Sequence, residues 1–120
     1  MEKIEYLYIN SRDELLRLDI SKIVFFEGEG NYTYIISANK LKGVVCMNLA
    51  RIQTVLDKKL KEHSIIFARL GKRYIINLNY VYSINIIKQK LILSDGYMFA
   101  YQLDVAKEAL KKLKELYKQN

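Results

Sequence analysis

With a single cysteine, Cys46, and a single histidine, His63, the 120-residue chain lacks the side chains that most metal-binding and nucleophilic chemistry draws on. A lone thiol cannot close an intramolecular disulfide, and no second His or Cys completes a zinc-type ligand set or a nucleophile and base pair. Cys46 lies in the apolar run Gly43-Val44-Val45-Cys46-Met47, which predicts a small buried hydrophobe, and His63 follows a lysine-rich segment, which predicts an exposed residue near a helix end. Glu27 and Glu29 have only Gly28 between them, but nothing beside them suggests the cleft that paired carboxylates need. Gly28-Glu29-Gly30-Asn31 lacks the third glycine of a dinucleotide fingerprint and leads into a strand instead of a helix. No window approaches the roughly 20 apolar residues of a membrane span, and the N-terminus, with Glu2 and Glu5, lacks the apolar core of a signal peptide. These absences predict a protein that is not an enzyme, uses no cofactor, metal or small-molecule substrate, and resides in a reducing cytoplasm.

What the chain has is positive charge, unevenly placed. The net charge is +7, yet residues 1–48 hold 6 basic and 7 acidic side chains, a balance of −1, while residues 49–120 hold 14 and 6, a balance of +8. Such asymmetry favours nucleic acid or an anionic membrane surface, because neutralising phosphates releases counterions and steers encounter. About half the chain is apolar, enough for one sizeable core in a single domain over residues 1–120.

The dominant pattern is short β-type runs separated by turn residues, at 4–9, 14–19, 23–27, 32–37, 41–47, 65–69, 74–78, 81–87, 91–94 and 97–101, with Ser94-Asp95-Gly96 as the clearest tight turn. Two segments switch to helical spacing. In residues 48–63, Leu49, Ile52, Val55, Leu56 and Leu60 share a face, with Asn48 where an N-cap belongs and Lys58, Lys59 and Lys61 near the far end. In residues 104–119, Ala106, Ala109, Leu110, Leu113 and Tyr117 form an apolar stripe on an otherwise basic helix. The expected fold is mainly β: short antiparallel sheets in an elongated, sandwich-like arrangement with one short internal helix and a C-terminal helix.

Residues 67–79 join a basic, glycine-containing segment to a strongly apolar strand. Arg69, Lys72 and Arg73 fall close together, Gly71 lets the backbone bend, and the run from Tyr74 reads as a buried strand that holds the bend. Gly71, Lys72 and Arg73 are therefore candidates for contact with a polyanion. Arg69, flanked by Phe67 and Leu70, reads instead as a donor to buried carbonyls or to a carboxylate such as Glu27. A second turn at Gly28-Glu29-Gly30-Asn31 can present Asn31, Tyr32, Thr33 and Tyr34 to a nucleic-acid groove, where Asn reads a base edge and hydroxyls bond phosphate; simple strand alternation is the other reading of the two tyrosines.

Three separated blocks carry a resemblance. I-V-F-F-E-G-E-G-N-Y-T-Y-I at 23–35, N-L-A-R-I-Q-T-V-L at 48–56 and F-A-R-L-G-K-R-Y-I-I-N-L-N-Y-V at 67–81, in that order, resemble the LytTR-type DNA-binding domains of bacterial transcription regulators, over about residues 6–110. The resemblance implies short antiparallel sheets that insert loops into successive major grooves. Carried over, those loops are 28–34, 71–73 and the region of 101–107, which adds Gln102 and Lys107 to the candidates. Arg69, Tyr74 and Asn77 match the family's Arg, aromatic and Asn and read as scaffold. The chain departs from the family where His-Arg-Ser becomes Gly71-Lys72-Arg73 and where Ser-Arg after the last strand is read as Tyr101-Gln102. Lysine lacks the bidentate fork of arginine, and Gln pairs with adenine, so base preference should differ from that of typical members.

The resemblance further implies double-stranded DNA as partner, carrying paired direct repeats. Self-association on DNA, supported by Leu103, Leu110 and Tyr117, is a further expectation. No receiver domain fits ahead of Tyr6, so the chain is expected to be either a stand-alone regulator, controlled by a separate partner such as a membrane protein, or a piece excised from a larger one. Two other classes stay open: a module that binds a protein or membrane partner through the basic C-terminal helix, and a single-strand binder that stacks bases on some of the 10 tyrosines.

Overall fold

Ile23, Val24, Phe25 and Phe26 are four consecutive apolar residues, and all four are buried, so the strand that contains them is covered on both faces. In the computed structural model, which describes residues 5–59 and 66–118, that strand lies at the middle of the molecule. The expectations placed on Glu2, Ile4, Leu60, Lys61, His63, Ile65 and Gln119 lie outside the described residues. In chain order the elements are β1 (Tyr6–Asn10), β2 (Leu15–Asp19), β3 (Ile23–Glu29), β4 (Tyr32–Ser37), β5 (Lys42–Val45), α1 (Leu49–Lys59), β6 (Phe67–Leu70), β7 (Tyr74–Asn77), β8 (Val81–Asn85), β9 (Lys90–Ser94), β10 (Ala100–Asp104) and α2 (Lys107–Glu115). Short 3-10 turns at Ile20–Lys22 and Leu78–Tyr80 follow β2 and β7.

All pairing is antiparallel. A five-stranded sheet of order β5-β4-β3-β7-β6 is flanked by the β1-β2 hairpin with α1 on one face and by the β10-β9-β8 sheet with α2 on the other. Register sets the division of the apolar residues between those faces. Ile35, Phe26 and Ile75 form one cross-strand row and face the hairpin and α1; Ile36, Phe25 and Ile76 form the next row and face the three-stranded sheet. Alternation sends Phe25 and Phe26 to opposite cores, and a bulge between Ile23 and Phe25 turns Val24 to the same side as Phe25. Each such buried side chain contributes roughly 1.5–3 kcal/mol relative to leaving it exposed.

The polar residues at strand ends explain where strands stop. Asn77 is fully buried; its Nδ2 donates to the Ile23 carbonyl at 2.9 Å and its Oδ1 accepts from the Asn79 N–H at 2.9 Å. It thereby closes β7 and starts the next turn. Asp19 does the same after β2, its Oδ1 accepting from the Ser21 N–H at 3.0 Å.

The mainly β fold with an internal and a C-terminal helix is as expected, and Asn48 caps α1, its Oδ1 accepting from the Arg51 N–H at 2.9 Å. Several expectations need correction. Cys46 is exposed, because β5 ends at Val45 and the inward positions go to Val45 and Met47. The last strand is Ala100–Asp104 and not 97–101: the Asp95 carboxylate accepts from the N–H groups of Tyr97 (2.9 Å) and Met98 (2.7 Å), so the expected tight turn extends into a longer loop. Those backbone hydrogen bonds hold the Asp95 carboxyl below its ordinary pKa against the opposing effect of desolvation. Leu103 and Leu110 are buried in the second core and are not free to support self-association, while Tyr117 stays exposed with its hydroxyl donating to the Leu78 carbonyl at 2.7 Å, so the three do not form a free apolar stripe.

Candidate nucleic-acid interface

The antiparallel order brings the end of β3, the start of β4, the end of β6 and the start of β7 to one end of the central sheet. Two turns emerge there. The β3-β4 turn is a two-residue connection, Gly30-Asn31, with glycine first in the left-handed region at φ 59°, where a side chain would be strained. The β6-β7 turn is Gly71-Lys72-Arg73, again led by a left-handed glycine at φ 60°.

The second turn is braced from both sides. Arg69 curls back along it, donating from Nε to the Gly71 carbonyl at 3.0 Å and from its terminal nitrogens to the Lys72 carbonyl at 3.4 Å and to Gln53 Oε1 on α1 at 2.8 Å. Arg69 thus satisfies carbonyls, but exposed ones of the turn and not buried ones as expected, and its side-chain partner is Gln53 and not Glu27. On the other side the Gly28 N–H donates to the Arg73 carbonyl at 2.8 Å, locking the turn onto β3. Gly28 is itself fixed by α1: a Cβ there would stand 2.9 Å from Leu49 Cβ.

Glu27 is the partner of Arg73, with a 2.6 Å contact to its guanidinium, and the guanidinium also lies 5.4 Å from the Tyr74 ring centroid. The Arg73 pKa is raised above its ordinary value, first by the charge the Tyr74 hydroxyl acquires on ionising and then by Glu27. The Arg73 side chain remains 65% exposed, so its cation is aimed and still accessible.

The third loop joins the same end through Tyr74. That ring meets Phe25 at 6.1 Å, and Phe25 meets Tyr101 of β10 at 5.5 Å. The Tyr74 hydroxyl pKa is raised by burial first and then by Glu27, with Asp104, at the end of β10, adding a smaller push. Beyond Asp104 the Val105 N–H donates to the Gln89 carbonyl at 3.1 Å, which ties the start of α2 to the β8-β9 turn. Asp104 is ion-paired with Lys90. Lys72, Lys88 and Lys107 have no acidic partner among the described residues.

Of the nine residues expected to face DNA, the fold brings Asn31, Tyr32, Gly71, Lys72, Arg73 and Lys107 to this end. Thr33 is a correction: strand alternation buries it completely, and its hydroxyl donates to the Met47 carbonyl at 2.7 Å. Tyr34 is half-buried against the second core, with Lys42 Nζ 5.2 Å from its ring centroid. Gln102 is exposed but lies within β10, opposite Ile92 on the outer face of the three-stranded sheet. The position just after the last strand is therefore Val105-Ala106-Lys107 and not Tyr101-Gln102. The cation Lys88 went unnoticed in the sequence, since only the Val105 to Gln89 hydrogen bond places it; Arg51, exposed in the first turn of α1, was masked by its place in an amphipathic repeat.

A family model of the LytTr DNA-binding domain matches residues 13–118 of the chain. A solved structure with the same architecture is the LytTr DNA-binding domain of a Bacillus cereus protein described as a methyl-accepting/DNA response regulator, at a TM-score of 0.65 and 18% identity over 98% of this chain and 99% of that one. No curated protein matches. Fold and loop-bearing end define a mainly β DNA-binding domain of the kind found in transcription regulators. The chain belongs to the LytTR DNA-binding family, which is a binding family and not a catalytic one.

Proposed function

We propose that the chain reads duplex DNA sequence-specifically through the loop-bearing end of its central sheet, acting as a bacterial transcription regulator in the cytoplasm. The turns Gly30-Asn31-Tyr32 and Gly71-Lys72-Arg73 enter the major groove. Asn31 meets a base edge, Lys72 and Arg73 reach a guanine edge or phosphate, and Lys107 anchors the backbone beside them. Two copies occupy paired direct repeats. The observation that carries this reading is the bracing of the Gly71-Lys72-Arg73 turn, which β3 and α1 hold from opposite sides while its cations stay exposed. Preorganised cations bind without first losing side-chain and loop entropy.

The test is a selection from a random duplex pool, then titration of the winner, a scrambled duplex and its single strand at two salt concentrations, with Lys72→Ala/Arg73→Ala alongside. A recovered repeat bound at least ~10³-fold tighter than scrambled duplex, and lost in the double variant, is expected. Equal binding to all three nucleic acids would overturn the proposal.

A further inference from the structure

We infer that the groove between β6 and α2 is a docking site for an extended acidic peptide, which joins the central sheet as a sixth strand beside β6. The inference stands apart from DNA binding. β6 is an edge of the five-stranded sheet. The Leu78 N–H donates to the Ile66 carbonyl at 2.7 Å, so the alternation of an antiparallel ladder places the hydrogen-bonded pairs at Ala68 with Ile76 and Leu70 with Tyr74. Phe67 and Arg69 consequently turn their N–H and C=O outward, and no hydrogen bond from the described residues reaches those groups outside the ladder. Such a row is a template for a further strand.

α2 stands across from that row, leaving a groove of ≈ 490 Å³ whose walls include Ala68, Leu70, Ala109, Leu113 and Leu116. The alanines leave room for a backbone to approach, while the leucines offer apolar seats for every second side chain of an extended chain. Charge selects the occupant. Glu108 on the rim is taken up by Lys111 at 3.6 Å, whereas Lys112 on the rim has no acidic partner among the described residues. Acidic side chains that share the α2-facing side with the apolar ones meet Lys112, and those between them, on the opposite face, meet the Arg69 guanidinium, which likewise has no acidic partner among the described residues. A second copy offers β6 the same hydrogen bonds but sets Lys112 against its own cations, and a DNA duplex has no N–H and C=O row to offer.

The full chain is panned against a displayed random dodecapeptide library, and the most enriched peptide is synthesised with two analogues N-methylated at alternate amides in opposite registers. Enriched peptides should alternate apolar residues with Asp or Glu. The parent peptide should protect the Phe67 and Arg69 amides from hydrogen exchange, one N-methylated register should lose binding while the other keeps it, and Lys112→Glu should weaken binding about tenfold. No enrichment, equal binding of both N-methylated registers, or protection at other amides would overturn the inference. So would protection of Phe67 and Arg69 by self-association without peptide, or by a DNA duplex.

Discussion

Helix α2 begins without a side-chain cap. Ala106 holds the extended N-cap conformation, φ −60° and ψ 148°, but has no oxygen to accept from the first-turn N–H groups. The same chain supplies its own reference in α1, where Asn48 makes that bond at 2.9 Å. Replacing Ala106 with Ser should therefore stabilise the protein by about 1 kcal/mol, within a range of roughly 0.5–2. The gain should appear in global unfolding, since α2 contributes the buried Leu110 and Leu113 to the second core and does not detach while that core stands. With a urea dependence of about 1–3 kcal/mol per molar, the denaturation midpoint moves up by roughly 0.3–1 M. Asn48→Ala should move it down by a similar amount. Urea melts followed by circular dichroism and tyrosine fluorescence measure both. A midpoint unmoved by Ala106→Ser alongside the expected loss for Asn48→Ala would refute the claim that the missing cap limits this helix.

Thr33→Val removes the only described donor to the buried Met47 carbonyl and should cost about 1–3 kcal/mol in urea melts while leaving DNA affinity of the folded protein unchanged; loss of affinity at constant stability would return Thr33 to the groove. Glu27→Gln frees the Arg73 guanidinium, so the salt dependence of DNA affinity should steepen by about 0.9 in the log-log slope, and stability should fall by less than about 1 kcal/mol for so exposed a pair. An unchanged slope in filter-binding titrations would place Arg73 away from phosphate. Tyr74, Tyr80 and Tyr117 all have pKa values raised first by burial, so the folded state holds protons that the unfolded state releases. Their contribution is fully present below the unfolded tyrosine value and is lost as pH rises past it, so stability should decline above about pH 10; a flat urea midpoint across that range would contradict the assignment.

Central strands and the first cap were legible because local signals agree with the fold: Ile23 to Phe26 is apolar throughout, and Asn48 precedes a helical repeat. Cys46 misled because an apolar run says nothing about which residue faces inward once a strand ends at Val45. The last strand was misplaced by the Asp95 carboxylate, whose hydrogen bonds to later N–H groups extend a loop that composition alone reads as a tight turn. At the candidate interface, the basic glycine turn was visible in the residues. Its bracing by Arg69, Gln53 and Glu27 was not, since those contacts join segments far apart in sequence.

β3 is a wall common to two cores. Phe26 belongs to one and Phe25 to the other, and the alternation that parts them occurs within a single strand. Neither core can lose its wall while the other keeps it, so the two layers melt as one cooperative unit. The slowest-exchanging amides should therefore fall in β3 and β7, opening only with the whole molecule.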